Sequence, residues 1–93
     1  MSDFLEQPIS VLRDNPEYSV PPTSFGAFCR RVSALCSDKP IEDLTIGDIL
    51  ECCPFDIYKG NYVGVSIMSE VNSILAQNVP DLSDSWGNLM KVL

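Results

Sequence analysis

Proline placement constrains this chain more than any other feature. Seven prolines interrupt 93 residues, and each lacks a backbone amide and clashes with the helical turn before it. A helix therefore ends ahead of each proline or begins on it. Pro8 leaves the segment Asp3 to Leu12, with apolar Phe4, Leu5, Ile9, Val11 and Leu12, room only for short helical pieces. Three more prolines fall in DNPEYSVPPTS, which reads as an extended arm or linker across the surface. Pro54 suits a first helical position, and Pro80 stops whatever precedes it.

Between these breaks the apolar residues recur at helical steps. Phe25, Phe28, Cys29, Val32, Leu35 and Cys36 form one stripe, which predicts a helix capped by Thr23 or Ser24 and running to about Cys36. After SDKPIED, Thr45 and Asp48 form a capping pair for a short helix with Ile46, Ile49 and Leu50 on its apolar side. Pro54 to Lys59 gives one or two turns that place Phe55, Ile57 and Tyr58 inward or partly inward. Gly60 to Gly64 is a kink, followed by a helix to Asn78 with Ile67, Met68, Val71, Ile74 and Leu75 at core spacing. Trp86, Leu89, Met90 and Leu93 predict a small final helix that docks on the rest. No stretch alternates cleanly as a strand would. The expected fold is all-α, a small bundle of about five short helices. Residues 1–22 read as an N-terminal arm, 23–80 as the helical domain and 81–93 as an amphipathic tail helix.

Charge narrows the function classes. Thirteen acids against six bases give a net charge of −7, and the acid excess extends over every third of the chain. Nucleic-acid binding draws on clustered Lys and Arg that displace counterions from phosphates, whereas here only Arg30 and Arg31 are adjacent. Such a surface suits a basic partner protein, or serves solubility alone. The N-terminus has neither a basic start nor an apolar segment, so the expectation is a cytoplasmic, unprocessed chain without a membrane span.

The four cysteines do not have metal spacing. Cys29 and Cys36 lie two helical turns apart, Cys52 and Cys53 are adjacent, and there is no histidine to complete a site. Free thiols packed as small apolar residues are expected, with no metal and no cofactor. Catalysis is not expected either, because a cysteine nucleophile lacks its usual base and the carboxylates are scattered.

One block carries a resemblance. Ile46-Gly47-Asp48-Ile49 matches an Ile-Gly-Asp-Leu helix start, Ile57-Tyr58-Lys59 is similar to a helix end, Val63-Gly64 fits a hydrophobic-Gly hairpin, and Glu70-Val71 follows at the matching distance. Together, Ile46 to Val71 resembles the second half of the C-terminal domain of the bacterial RNA polymerase alpha subunit, a small helical domain with a helix-hairpin-helix motif. The resemblance implies that the backbone amides of Gly64, Val65 and Ser66 face a DNA phosphate at a helix start. It also implies that Arg30 or Arg31 stands for an arginine that enters the minor groove. Val65 and Ser66 replace the family's lysines, and Tyr62 stands where the motif favours glycine or asparagine, so the implied DNA affinity is weak or absent.

Two functions are therefore expected. One is a non-catalytic helix-hairpin-helix module of nucleic-acid or transcription machinery that acts mainly through protein contacts. The other is an acidic inhibitor or immunity-type protein that covers a basic surface on a nucleic-acid enzyme, with Asp38, Glu42, Asp43 and Glu51 as contact acids.

Overall fold

The computed structural model describes residues 3–92. Seven α-helices are present among them: α1 (Asp3–Glu6), α2 (Val11–Asp14), α3 (Pro22–Leu35), α4 (Ile46–Leu50), α5 (Pro54–Tyr58), α6 (Val65–Asn78) and α7 (Asp84–Val92). Two 3-10 turns, Ile41–Asp43 and Pro80–Leu82, link them. The chain is all-α, and the helices beyond the expected five or so are the four-residue pieces α1 and α2. Leu93, expected on the apolar side of the last helix, lies outside the described residues.

Local chemistry sets most of the helix boundaries. α3 begins one residue before the expected Thr23 or Ser24 cap: Pro21 is extended and Pro22 takes the first helical position, with no side chain capping the turn. The fixed proline φ substitutes for a cap by presetting the helical backbone. At its far end, Ser37 and Asp38 both adopt left-handed φ, 60° and 61°, and the Ser33 hydroxyl donates to the Lys39 carbonyl at 2.6 Å. α4 is capped as the sequence predicts. The Asp48 carboxylate accepts from the Thr45 amide at 2.9 Å and from the Lys39 ammonium at 2.9 Å. α5 starts on Pro54 after an extended Cys53. α6 ends at Asn78, where Val79 leaves helical geometry and Pro80 opens the next turn.

One core unites the three stretches that the sequence separates. Ile9, Leu12 and Val20 from the first 22 residues are buried in the same cluster as Phe28, Val32, Ile57, Met68, Val71, Trp86 and Leu89. The N-terminal arm is therefore inserted into the fold and does not simply lie across it. Two backbone bonds pin it, Ile9 N–H to the Leu44 carbonyl at 2.9 Å and Ile46 N–H to the Gln7 carbonyl at 3.0 Å, around an antiparallel bridge between Pro8 and Thr45. Further along, the Ser19 amide donates to the Glu70 carboxylate at 3.1 Å. Phe55 departs from expectation: Ile57 is fully buried and Tyr58 half-buried, while Phe55 faces outward.

The central element is α3, against which α5, α6 and the first 3-10 turn all pack. α5 and α6 meet chiefly through shared neighbours, since each packs on α3 and on α7. α7 is anchored by Trp86, which is 1 % exposed and stands 6.4 Å from Phe28 between ring centroids in a tilted pair. Such a contact adds to the hydrophobic burial of both rings. The indole N–H of Trp86 has no hydrogen-bond partner among the described residues.

Two outcomes follow for stability. Trp86→Ala lowers unfolding free energy by about 3–5 kcal/mol through the cavity it leaves, whereas Trp86→Phe costs less than half as much, because the N–H it discards has no acceptor. Urea midpoints measure both, and equal losses would show that the indole N–H contributes a bond. Burial pushes the Asp48 carboxyl up, but the hydrogen bonds from Thr45 and Lys39 and the nearby ammonium outweigh it, so the group titrates below its ordinary range. A depressed carboxylate stabilises fully above its unfolded pKa of about 3.9 and loses that contribution as pH falls through the lower folded value. Asp48→Asn is expected to cost about 1 kcal/mol at neutral pH, and its gap to the wild type should narrow below about pH 4 in urea titrations. A gap that stays constant with pH would refute the assignment.

Candidate binding surface

The two adjacent arginines occupy different positions on α3. Arg30 is exposed and leans back along the helix, its Nη1 3.4 Å from where a Cβ on Gly26 would stand. It makes no ion pair among the described residues. Arg31 is half-buried, and its Nε donates to the Asp56 carbonyl at 2.8 Å. The stem of Arg31 crosses the backbone at Gly60, where an added Cβ would sit 2.8 Å from its Cγ and 2.9 Å from its Cδ. Close approach therefore requires glycine at position 60.

The turn between α5 and α6 is strained at an unexpected residue. Gly60 and Gly64 both lack positive φ, and Tyr62 takes the left-handed conformation at 67°. Within the kink from Gly60 to Gly64, Gly60 and Asn61 tolerate that geometry better, and a bulky aromatic in it is an outlier. Val63 anchors the following step by burying its side chain, while the Tyr62 ring is 87 % exposed. Strain of this kind persists only where surrounding contacts enforce it. Here the enforcing contacts are Arg31 against Gly60, Val63 in the core, and the Gly60 amide on the Ile57 carbonyl at 3.0 Å.

These residues converge. Arg30 and Arg31 from α3, with Lys59, Asn61 and Tyr62 from the turn, line an open depression of about 400 Å³. Three of the six basic residues of the chain thus surround one surface feature. Two of the others are held elsewhere, Arg13 by Asp14 and Lys39 by Asp48, each at 2.9 Å. Lys59 is only loosely drawn to Asp56, at 3.9 Å with both side chains well exposed, a separation at which solvent screens most of the attraction. The depression is therefore a cationic island on an acidic body.

The other expected site residues lie outside this depression. Gly64, Val65 and Ser66 are exposed at the start of α6, where Gly64 is extended with φ of −101° and no side chain caps the helix. A Cβ at Gly64 would meet nothing within 4 Å, so neither φ nor space requires glycine there. Asp38 stands in the left-handed pair after α3, Glu42 and Asp43 in the first 3-10 turn, and Glu51 at the C-terminal end of α4. All four are exposed. None is in an ion pair among the described residues.

Lys59, Asn61 and Tyr62 were not expected at a site. The one sequence signal for Tyr62 is its occupation of a turn position that favours glycine or asparagine. Among the described residues no group of three or more metal-ligating side chains assembles, and no helix is long and apolar enough to cross a membrane. No family model, curated protein or solved structure matches the chain.

Strain at Tyr62 has a measurable consequence. Left-handed backbone costs a non-glycine residue about 1–2 kcal/mol, and glycine adds about 0.4–1 kcal/mol of unfolded-state entropy in return. Tyr62→Gly should therefore leave the fold as stable or raise it by up to about 1 kcal/mol, although it deletes a whole aromatic side chain. Tyr62→Ala should stay within about 0.5 kcal/mol of the parent. Thermal melts measure both, and a clear loss in Tyr62→Gly would mean that the ring contributes packing.

Proposed function

We propose that this chain is a non-catalytic binding module of helix-hairpin-helix type, which works with nucleic-acid or transcription machinery in the cytoplasm by docking on a protein partner through α3 and the α5–α6 turn. The observation that carries this reading is the convergence of Arg30, Arg31, Lys59 and the exposed, strained Tyr62 around one depression. Arginine and tyrosine are the side chains that most often anchor protein interfaces, since both offer large contact areas with a polar end. An acidic stretch on the partner fits the cations, and the surrounding negative body disfavours other docking poses.

Duplex DNA is a weaker ligand in this reading. Three cations neutralise at most three phosphates, which limits the salt dependence of binding to a log–log slope of about −3. The net charge of −7 opposes even that. Gly64, Val65 and Ser66 offer backbone amides at a helix start without a lysine beside them, so a phosphate there is held by the helix terminus alone.

A second reading, an acidic inhibitor of a basic nucleic-acid enzyme, is favoured by one observation. Asp38, Glu42, Asp43 and Glu51 are all exposed and carry no internal ion pair among the described residues.

Paired variants separate the two. Arg30→Ala with Tyr62→Ala should abolish retention of the partner in native-lysate capture while leaving the melting midpoint unchanged. Glu42→Lys with Asp43→Lys should leave that retention intact. The reverse pattern, with partner loss on charge reversal alone, transfers the working surface to the acids. Fluorescence anisotropy on a short duplex should show weak binding that vanishes as salt rises, and tight, salt-resistant binding would contradict the protein-docking reading.

A further inference from the structure

We propose that Cys36 and Cys52 form a reversible disulfide that locks the segment between α3 and α4. The sulfurs stand 3.7 Å apart, in van der Waals contact. Cys36 follows the last residue of α3 and Cys52 lies just beyond α4, so neither is within a regular helix, and the sulfurs need to close by less than about 2 Å to reach the bonding distance of about 2.05 Å. Both thiols are oriented toward one acceptor, the Asp48 carbonyl, at 3.9 Å from Cys36 and 3.4 Å from Cys52. Both are half-buried, open enough for a small reagent, whereas Cys29 is buried in the core and Cys53 is exposed without a sulfur neighbour among the described residues.

The chemistry is thiol–disulfide exchange with a small-molecule disulfide such as oxidised glutathione. The Cys36 thiolate attacks one sulfur of the reagent, forms a mixed disulfide and releases one reduced thiol. Cys52 loses its proton, attacks the Cys36 sulfur and expels the second reduced thiol. The two protein thiols are oxidised by two electrons, and the reagent disulfide is reduced to two thiols. Burial first, then the hydrogen bond and charge of Cys36 and the negative Asp48 and Glu51, push the Cys52 thiol up to about 12. The lock therefore closes slowly at neutral pH. The mixed disulfide at Cys36 removes that residue's share of the penalty, so Cys52 loses its proton more readily than in the fully reduced protein.

The closed bond joins the ends of a loop that contains the left-handed Ser37 and Asp38, the first 3-10 turn and all of α4. Its exposed acids Asp38, Glu42, Asp43 and Glu51 are then held on a tethered segment, and the unfolded chain loses the freedom of that loop.

Oxidised glutathione added to the reduced full chain under native conditions, followed by alkylation and peptide mapping, tests this. The expected product is a single Cys36–Cys52 cross-link with two of the four thiols still alkylated, a melting midpoint raised by about 5 °C or more, and reversal of both by dithiothreitol. Cys53→Ala retains the cross-link and the shift, and Cys36→Ser or Cys52→Ser removes them. Four alkylated thiols at equilibrium, glutathione mixed disulfides alone, or a cross-link through Cys53 or Cys29 would each overturn the proposal.

Discussion

The burial of one face of α3 is the constraint on which the rest of the molecule depends. Phe28 and Val32 are completely excluded from solvent, with Phe25, Ala27 and Cys29 nearly so. α5 and α6 bury apolar side chains beside that surface and the first 3-10 turn packs on the same helix, and Phe28 meets Trp86 of α7. Helical periodicity then determines where everything else on α3 goes. With Phe28, Cys29 and Val32 inward, Arg30 must face solvent and Arg31 must lie at the boundary, where its stem packs and its guanidinium reaches a backbone carbonyl. The cationic island is thus a by-product of the same 3.6-residue repeat that builds the core.

Readable and unreadable features divide by range of contact. Thr45 and Asp48 predict the start of α4, Pro54 the start of α5, and the apolar spacing from Ile67 to Leu75 the long helix α6, because each depends on neighbours a few residues away. The all-α class follows from these. The prolines around Ile9 and Leu12 limit that stretch to short helical pieces and leave its partner unread in the sequence; the pairing of Gln7 and Ile9 with Leu44 and Ile46 brings both residues into the core. Tyr62 shows the same limit from the other direction. Gly60 and Asn61 are the better left-handed residues, yet Gly60 is committed to the passage of Arg31 and the strained backbone falls two positions on. Local propensity yields there to a tertiary contact.

Charge distribution gives the two surfaces different physics. The acids from Asp38 to Glu51 extend the general negative field of the chain, act at long range and weaken with salt. The island around Arg30 and Tyr62 opposes that field locally and depends on contact: a flat ring, a guanidinium and a shallow hollow. The long-range field and the local contact surface therefore carry opposite signs of charge.

Arg31 ties the α5–α6 turn to the fold in a way that Arg30 does not. α5 and α6 are held mainly by third parties, α3 and α7, so the conformation of the turn between them is not imposed by direct helix–helix packing. Arg31 supplies what is missing: its Nε fixes the Asp56 carbonyl in α5 and its stem presses on Gly60. Displacement of that side chain would free Gly60 and remove one of the contacts that hold Tyr62 in its strained conformation. The exposed ring and the hollow beside it thus rest on one half-buried guanidinium, placed by the face of α3 that the core requires, together with buried Val63 and the Gly60 amide on the Ile57 carbonyl.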